Sequence, residues 1–295
     1  MRVDFFRRMR LSGVPILMEK IWLNGIFFVI LQFRVCCSLC ADPLSTAKNL
    51  DIMKHAECII FPDIHGRDFW KSVLLGDCEW ESDLLIFLGD YFDPYPSENI
   101  TPEAALDNWD ELMDTLRHSR KTAVFIMGNH DAHYLNLEYW RRACSSRYNS
   151  RHEEDIYNRL RQVPLHVAHE LTVGEKRVLF THAGLVFPWY AAHKNLIGAI
   201  SASNLNRLTE SDDGWKALAE VSEYRGGISD YGSPLWVDRH EFNEKSLDNI
   251  GYDLQIVGHN QLHNDEPARY CNVVNLDCHH PFALTEKLRL RKIDL

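Results

Sequence analysis

Cys58-Ile59-Ile60-Phe61-Pro62-Asp63-Ile64-His65-Gly66 is an apolar run that stops at an Asp-x-His-Gly turn. A short run of this kind reads as a buried strand. The turn sets a carboxylate and an imidazole at the strand's carboxyl end, where open α/β sheets place their ligands. Asp63 and His65, two positions apart in an extended turn, can reach one ion together, and Gly66 lets the chain turn sharply beside them. Alone, the stretch is a weak signal that reads more readily as a polar turn than as a metal site.

The same grammar returns four more times. Leu84–Leu88 ends in Gly89-Asp90-Tyr91-Phe92-Asp93, and Ala123–Met127 ends in Gly128-Asn129-His130-Asp131. Val178–Phe180 ends in Thr181-His182-Ala183-Gly184, and Leu254–Val257 in Gly258-His259-Asn260-Gln261. Taken singly, each turn has an ordinary explanation, because Gly-Asp and Asn-His are frequent loop pairs. Repeated after five apolar runs, they point to a metal site assembled from turns. Strands alternating with helices support the α/β class independently.

In this order, the five motifs resemble the calcineurin-like metallophosphoesterase superfamily, from Lys54 to Asp277. The resemblance implies a four-layer αββα sandwich, a pair of mixed sheets packed face to face with helices outside, carrying a helical insertion near the active site. It implies a metal-dependent phosphoesterase and a phosphorylated substrate. It also implies two divalent ions, which at about 3.5–4 Å apart need a shared carboxylate. Asp63, His65 and Asp90 would hold the first ion, and Asp90, Asn129, His182 and His259 the second. Such oxygen and nitrogen donors suit manganese, iron or zinc better than calcium. A metal-bound hydroxide would attack phosphorus in line. His130 would protonate the leaving alkoxide, with Asp93 accepting from its other ring nitrogen to fix the tautomer. Arg67, just after the first motif, and Arg225, in a glycine-rich turn, are candidates to grip phosphate oxygens. Both read equally well as surface residues. His133 and His263 read as ordinary loop residues, and His279-His280 stays open.

Departures narrow the branch. Many relatives, diesterases among them, carry Gly-His-x-His at the last motif, and here the second histidine is replaced by Gln261. That pattern is closest to the phosphoprotein-phosphatase branch. Yet the branch has Arg-Gly after Gly-Asp-x-x-Asp, where this chain has Pro94-Tyr95, and it prefers Gly-Asn-His-Glu, where this chain has Asp131. The expected function is a phosphomonoesterase of the serine/threonine protein phosphatase-like type. The alternatives are a nucleotide or dinucleoside polyphosphate hydrolase or a phosphodiesterase, suggested by Ser233-Pro234-Leu235-Trp236, and a catalytically silent metal-binding protein.

At 295 residues and 45% hydrophobic, the chain suffices for one large α/β domain. A net charge of -10 argues against broad nucleic-acid binding through a basic surface. Residues 1–52 differ from the rest. Met1–Arg10 is arginine-rich, and the apolar stretch Ile21–Phe33 falls short of the roughly 20 residues a transmembrane helix needs. A signal peptide with small residues near Ser38–Ala41, a membrane-surface anchor, and a segment outside the working protein all fit; the last is preferred. The phosphoesterase domain is expected over 53–295, with cap-like insertions at 131–175 and 188–240. Cys37-x-x-Cys40 lacks a second pair at zinc spacing. The scattered Cys58, Cys78, Cys144, Cys271 and Cys278 fit a reducing compartment and a cytoplasmic protein, with export or membrane association the alternative if residues 1–41 act as a signal.

Among the local elements, Arg67–Leu75 reads as a short amphipathic helix. Thr101-Pro102-Glu103 reads as the capped start of a helix to His118. Leu135–Val163 reads as a helical pair, Cys271–Leu276 as a strand, and Phe282–Ile293 as an alternating edge strand.

Overall fold

The apolar runs that precede the Asp, Asn and His turns are all strands in the computed structural model. It describes residues 53–295 in full and the backbone of residues 9–11, 14–23 and 26–33. The chain divides into two compact units, Met1–Leu50 and Asp51–Leu295. In the first, Met9–Leu11, Val14–Leu23 and Ile26–Phe33 form an antiparallel sheet with Val14–Leu23 in the middle. The apolar stretch is thus shared between two strands. The segment Ser38–Ala41 and the cysteines Cys36, Cys37 and Cys40 lie outside the described residues. Among the described residues no helix is long and apolar enough to cross a membrane.

The second unit contains two mixed sheets. The strands of these two sheets are β1 (Cys58–Phe61), β2 (Leu84–Phe87), β3 (Thr122–Ile126), β4 (Leu165–His166), β5 (Ala168–Val173), β6 (Lys176–Thr181), β7 (Leu254–Val257), β8 (Ala268–Tyr270), β9 (Val273–Asn275), β10 (Phe282–Leu284) and β11 (Leu290–Lys292), and Lys54–His55 pairs separately with Trp80–Glu81. One sheet runs β11-β10-β1-β2-β3-β4, with β1 to β4 parallel. The other runs β5-β6-β7-β9-β8, with β6, β7 and β9 parallel.

Side chains alternate across each strand, and the alternation sorts the core into three layers. Cys58, Ile60, Ile86 and Leu88 meet Val178, Phe180, Leu254 and Ile256 between the sheets. Their neighbours Ile59, Phe61, Leu85 and Phe87 face the other way, onto α2 (Pro102–His118) through Leu106, Trp109 and Leu112. Leu179 and Val257 face a helical layer that includes α6 (Phe187–Ile197), α7 (Ala202–Asn206) and α8 (Asp212–Leu218). Helix, sheet, sheet, helix is the expected four-layer sandwich. Burial on both faces is why these strands read as continuous apolar runs. The core places the turns after β1, β2, β3, β6 and β7 side by side.

Local expectations fare unevenly. Thr101 caps α2, accepting from Ala104 N–H at 3.1 Å. The helix expected over Arg67–Leu75 shortens to α1 (Lys71–Leu74). Phe282–Ile293 is a hairpin rather than one strand, with β10 inside the sheet and only β11 at its edge. Cys58 is buried, but Cys271 is exposed in the turn between β8 and β9. All five described cysteines are unpaired. The stretch expected as insertion over 131–175 contains α3 (Asn129–Leu135), α4 (Leu137–Ala143) and α5 (Glu153–Leu160), and then β4 and β5 of the two sheets. Much of 188–240 is the outer helical layer, since Trp189, Leu205 and Leu218 pack on the second sheet.

Candidate metal centre

The turns are welded together before any ion is considered. Beyond β1 and β2 the ladder continues, with Ile64, His65 and Gly66 N–H donating to the carbonyls of Gly89, Asp90 and Tyr91. Asp131 ties the next turn in. Its carboxylate accepts from Gly128 N–H at 2.7 Å, Asp90 N–H at 2.8 Å and Tyr91 N–H at 3.0 Å. Asp90 Oδ1 in return accepts from His130 N–H at 2.9 Å. Asp63 accepts from His259 N–H, with both carboxylate oxygens at 3.0 Å. Two motif glycines are demanded by these approaches. A Cβ on Gly128 would lie 2.1 Å from Asp90 Oδ1, and one on Gly258 would lie 1.9 Å from Asp63 Oδ1.

Backbone strain concentrates in the same turns. His65, Asp90, Asp93 and His259 have φ of 45°, 52°, 56° and 67°. Such left-handed conformations cost non-glycine residues roughly 1–2 kcal/mol each and persist only where the surroundings over-determine them.

Six buried side chains converge here: Asp63, His65, Asp90, Asn129, His182 and His259. His65 Nδ1–H donates to Phe92 O at 2.8 Å and His182 Nδ1–H to Leu88 O at 2.8 Å. Both Nε2 lone pairs are thereby turned inward. Asp90 Oδ2 stands between them, 3.4 Å from His65 Nε2 and 3.5 Å from His182 Nε2. Asp90 is the residue that the resemblance expects to be shared between two ions. Asn129 Oδ1 lies 2.9 Å from His182 Nε2 and 3.0 Å from His259 Nδ1, and the two ring nitrogens are 3.1 Å apart. Burial first, then the charges of Arg147, His130 and Arg67, hold His65 well below the ordinary histidine range. Burial and the Arg225 charge do the same to His259. Burial pushes the Asp63 carboxyl up to about 6, opposed chiefly by His182. Two ring nitrogens and an amide oxygen are thus crowded within about hydrogen-bond distance of one another, each with a lone pair it can offer inward. A cation among them supplies the missing attraction, so the donor set fits divalent metal ions. Asp63, Asp90 and His182 already offer ligand atoms within 4.8 Å of one another.

Beside this centre lies a second buried group. His130 Nδ1–H donates to Asp93 Oδ2 at 2.9 Å, and Tyr134 O–H donates to Oδ1 at 2.5 Å. His133, expected in a loop, is instead a buried residue of α3. Its Nδ1 accepts from Ser145 N–H at 3.3 Å, leaving Nε2–H 3.0 Å from Asp93 Oδ2. Burial alone would raise the Asp93 carboxyl. The hydrogen bonds and charges of His130 and His133 outweigh it and hold the group below its usual range. Asp93, His130 and His133 could also hold an ion by spacing, but hydrogen-bond donors already fill the Asp93 carboxylate.

A profile of the calcineurin-like phosphoesterases matches residues 58–261. The chain is a calcineurin-like phosphoesterase. It is a metal-dependent enzyme that acts on phosphorylated substrates. Among solved structures, the cold-active protein-tyrosine phosphatase of a psychrophilic Shewanella species is 14% identical, with 100% of each chain covered and a TM-score of 0.50. A further structure of a cold-active protein tyrosine phosphatase is 16% identical, covering 99% of this chain and 97% of that one, with a TM-score of 0.49. At these identities the likeness concerns the fold alone. No curated protein matches.

The phosphoesterase employs its two expected arginines in ways the sequence does not reveal. Arg67 is buried, and its fork is taken by Glu98, with Nη2 at 2.7 Å, while Nη1 donates to Asp63 O at 3.0 Å. Arg225 Nε is ion-paired with Asp238 at 2.8 Å, and its Nη2 donates to Asn260 Oδ1 at 2.7 Å. Gln261, which stands where diesterase relatives carry histidine, has Nε2 3.4 Å from His279 Nε2. Trp236 packs edge-on to His259, ring centroids 5.6 Å apart, and its Nε1–H donates to Tyr139 Oη at 2.6 Å. The sequence reading missed four residues that border the site. Asp277 is buried, with its carboxyl raised well above the usual range by burial and the Asp63 charge. Its place directly after strand β9 was the available signal. Asp131 stands within its motif and reaches the site through the N–H groups of Gly128, Asp90 and Tyr91, whereas His133 and Arg147 reach it only through tertiary packing.

Proposed function

We propose that the phosphoesterase is a two-metal phosphomonoesterase of the serine/threonine protein phosphatase-like type. The observation that carries this reading is the meeting of six buried metal-type donors with a His–Asp pair at one edge of the sandwich. Asp63, His65 and Asp90 would hold one ion, and Asp90, Asn129, His182 and His259 the other. Manganese, iron or zinc, once bound, would supply a water of lowered pKa and charge to neutralise phosphoryl oxygens.

The chain's own residues supply the proton. As the acid, His130 would carry a proton on Nε2, the atom that faces Arg147 Nη2 here, and pass it to the leaving oxygen as the phosphorus–oxygen bond breaks. Asp93 accepts from Nδ1–H throughout, so the ring keeps one orientation. Tyr134 and His133 hold Asp93 in turn. Monoester preference rests on Gln261, a neutral amide where diesterase relatives place a second histidine. A second reading, hydrolysis of a nucleotide or dinucleoside polyphosphate, draws on Trp236, whose ring against His259 is a stacking surface beside the ions.

The test is a panel on manganese-loaded protein: p-nitrophenyl phosphate, bis-p-nitrophenyl phosphate, a phosphoserine peptide and a dinucleoside tetraphosphate. The proposal expects the first and third to be turned over fastest. Preference for the tetraphosphate selects the second reading, preference for the bis ester a phosphodiesterase. No turnover with manganese, iron or zinc leaves a catalytically silent metal-binding protein.

A further inference from the structure

With Arg67 given to Glu98 and Arg225 to Asp238, neither guanidinium is free for substrate. A third is. The loop between α4 and α5 carries Arg147 back over the centre. Its Nη2 lies 3.0 Å from His130 Nε2 and 3.4 Å from His65 Nε2. Its Nη1 donates to the carbonyl of Asp93. The guanidinium lies 3.7 Å from the Tyr95 ring centroid. Among the described residues, no carboxylate lies within ion-pair distance of it.

We propose that Arg147 is the phosphate-binding residue of this enzyme, supplied by the insertion in place of the arginine that this chain lacks after Asp93. The inference rests on the phosphoesterase reading for the nature of its ligand. Three features carry it. The first is position. A phosphoryl group undergoing transfer must sit between the ions and the acid that protonates the leaving oxygen, and Arg147 stands between His65 of the ion site and His130. The second is charge. A cation next to two imidazoles, with no acid partner, lacks only an anion. The third is orientation. Stacking on Tyr95 and the bond to the Asp93 carbonyl fix the plane of the fork, and Nη2, now against the His130 and His65 rings, is the arm that would turn to phosphate oxygens. Arg147 also lines a cavity of about 220 Å³ with Pro94, Pro96 and Ile100, which gives the side chain room to shift as substrate enters.

The test measures binding of inorganic phosphate to the manganese-loaded full chain by calorimetry, for wild type, Arg147→Met and Arg147→Lys. Metal content and p-nitrophenyl phosphate kinetics are followed alongside. Loss of charge-assisted hydrogen bonds predicts phosphate affinity about 10- to 100-fold weaker in Arg147→Met, with KM raised to match and bound metal unchanged. Arg147→Lys, which keeps the charge and loses the fork, falls between. Affinity in Arg147→Met within about twofold of wild type overturns the inference. So does a wild type that binds no phosphate, or a variant that loses metal along with phosphate. If wild type hydrolyses no ester while Arg147→Met still loses phosphate, the phosphomonoesterase reading fails and the assignment of Arg147 stands.

Discussion

At Asp90 a single side chain has to satisfy three neighbours. One oxygen holds the turn before His130, and the other faces both inward histidines. Asp90→Asn keeps the shape and removes the charge the ions would share. Phosphatase activity is expected to fall by at least about 100-fold, the loss of several kcal/mol of charge stabilisation, with bound metal dropping below two per chain. Elemental analysis alongside turnover checks it, and unchanged turnover sinks the shared-ion assignment. Asp63, His65, Asp90, Asn129, His182 and His259 could all be read from sequence because each follows an apolar run directly, so backbone geometry alone delivers it to the sheet edge. Arg147 and His133 gave no such signal. Arg147 arrives by way of a loop whose path is set by the Tyr134–Tyr148 stack, ring centroids 4.9 Å apart, and by the aromatic platform of Tyr95.

At the scale of elements, the clearest sequence signals were chemical punctuation. Thr101 and Pro102 start α2 where expected. Thr101→Ala removes the bond to Ala104 N–H, costing about 1 kcal/mol, or roughly 2–4 °C of Tm in a protein of this size, measured by thermal unfolding. The hairpin over Phe282–Ile293 escaped because its turn contains neither glycine nor proline. Leu288 takes the left-handed turn, with φ of 53°. On β5, His169 pairs with Phe180 of β6, and burial first, then the His166 charge, hold its pKa below the usual 6.5. In the unfolded chain the ring binds its proton near 6.5, and in the fold it does so only at lower pH. Stability is therefore undiminished above that value and declines as pH falls below it. His169→Gln should flatten the Tm decline between about pH 7 and 5. A decline as steep as wild type's would show that the ring is not held neutral.

Considered whole, the second unit builds three apolar layers that, among the described residues, draw on positions between Ala56 and Ile293. Protein beginning at Met53 and the full chain are both expected to unfold this core in one cooperative transition. In both forms, manganese at a hundredfold excess over its Kd should add about 2.7 kcal/mol, reversed by chelation. Calorimetric scans with and without chelator decide both points. The four-layer architecture was legible because burial on both faces leaves continuous apolar runs. The sharing of 131–175 between sheet strands and site loop was not, because charged helices look alike whether they cover a sheet or a catalytic centre.

Trp236 gives the molecule an optical consequence. Its indole stands edge-on to a candidate ion ligand, His259, while its N–H is anchored to Tyr139. Manganese is paramagnetic and quenches emission at short range. The protein should therefore report its own metal loading as dimming fluorescence, and Trp236→Phe should silence most of that signal without altering the titration's midpoint.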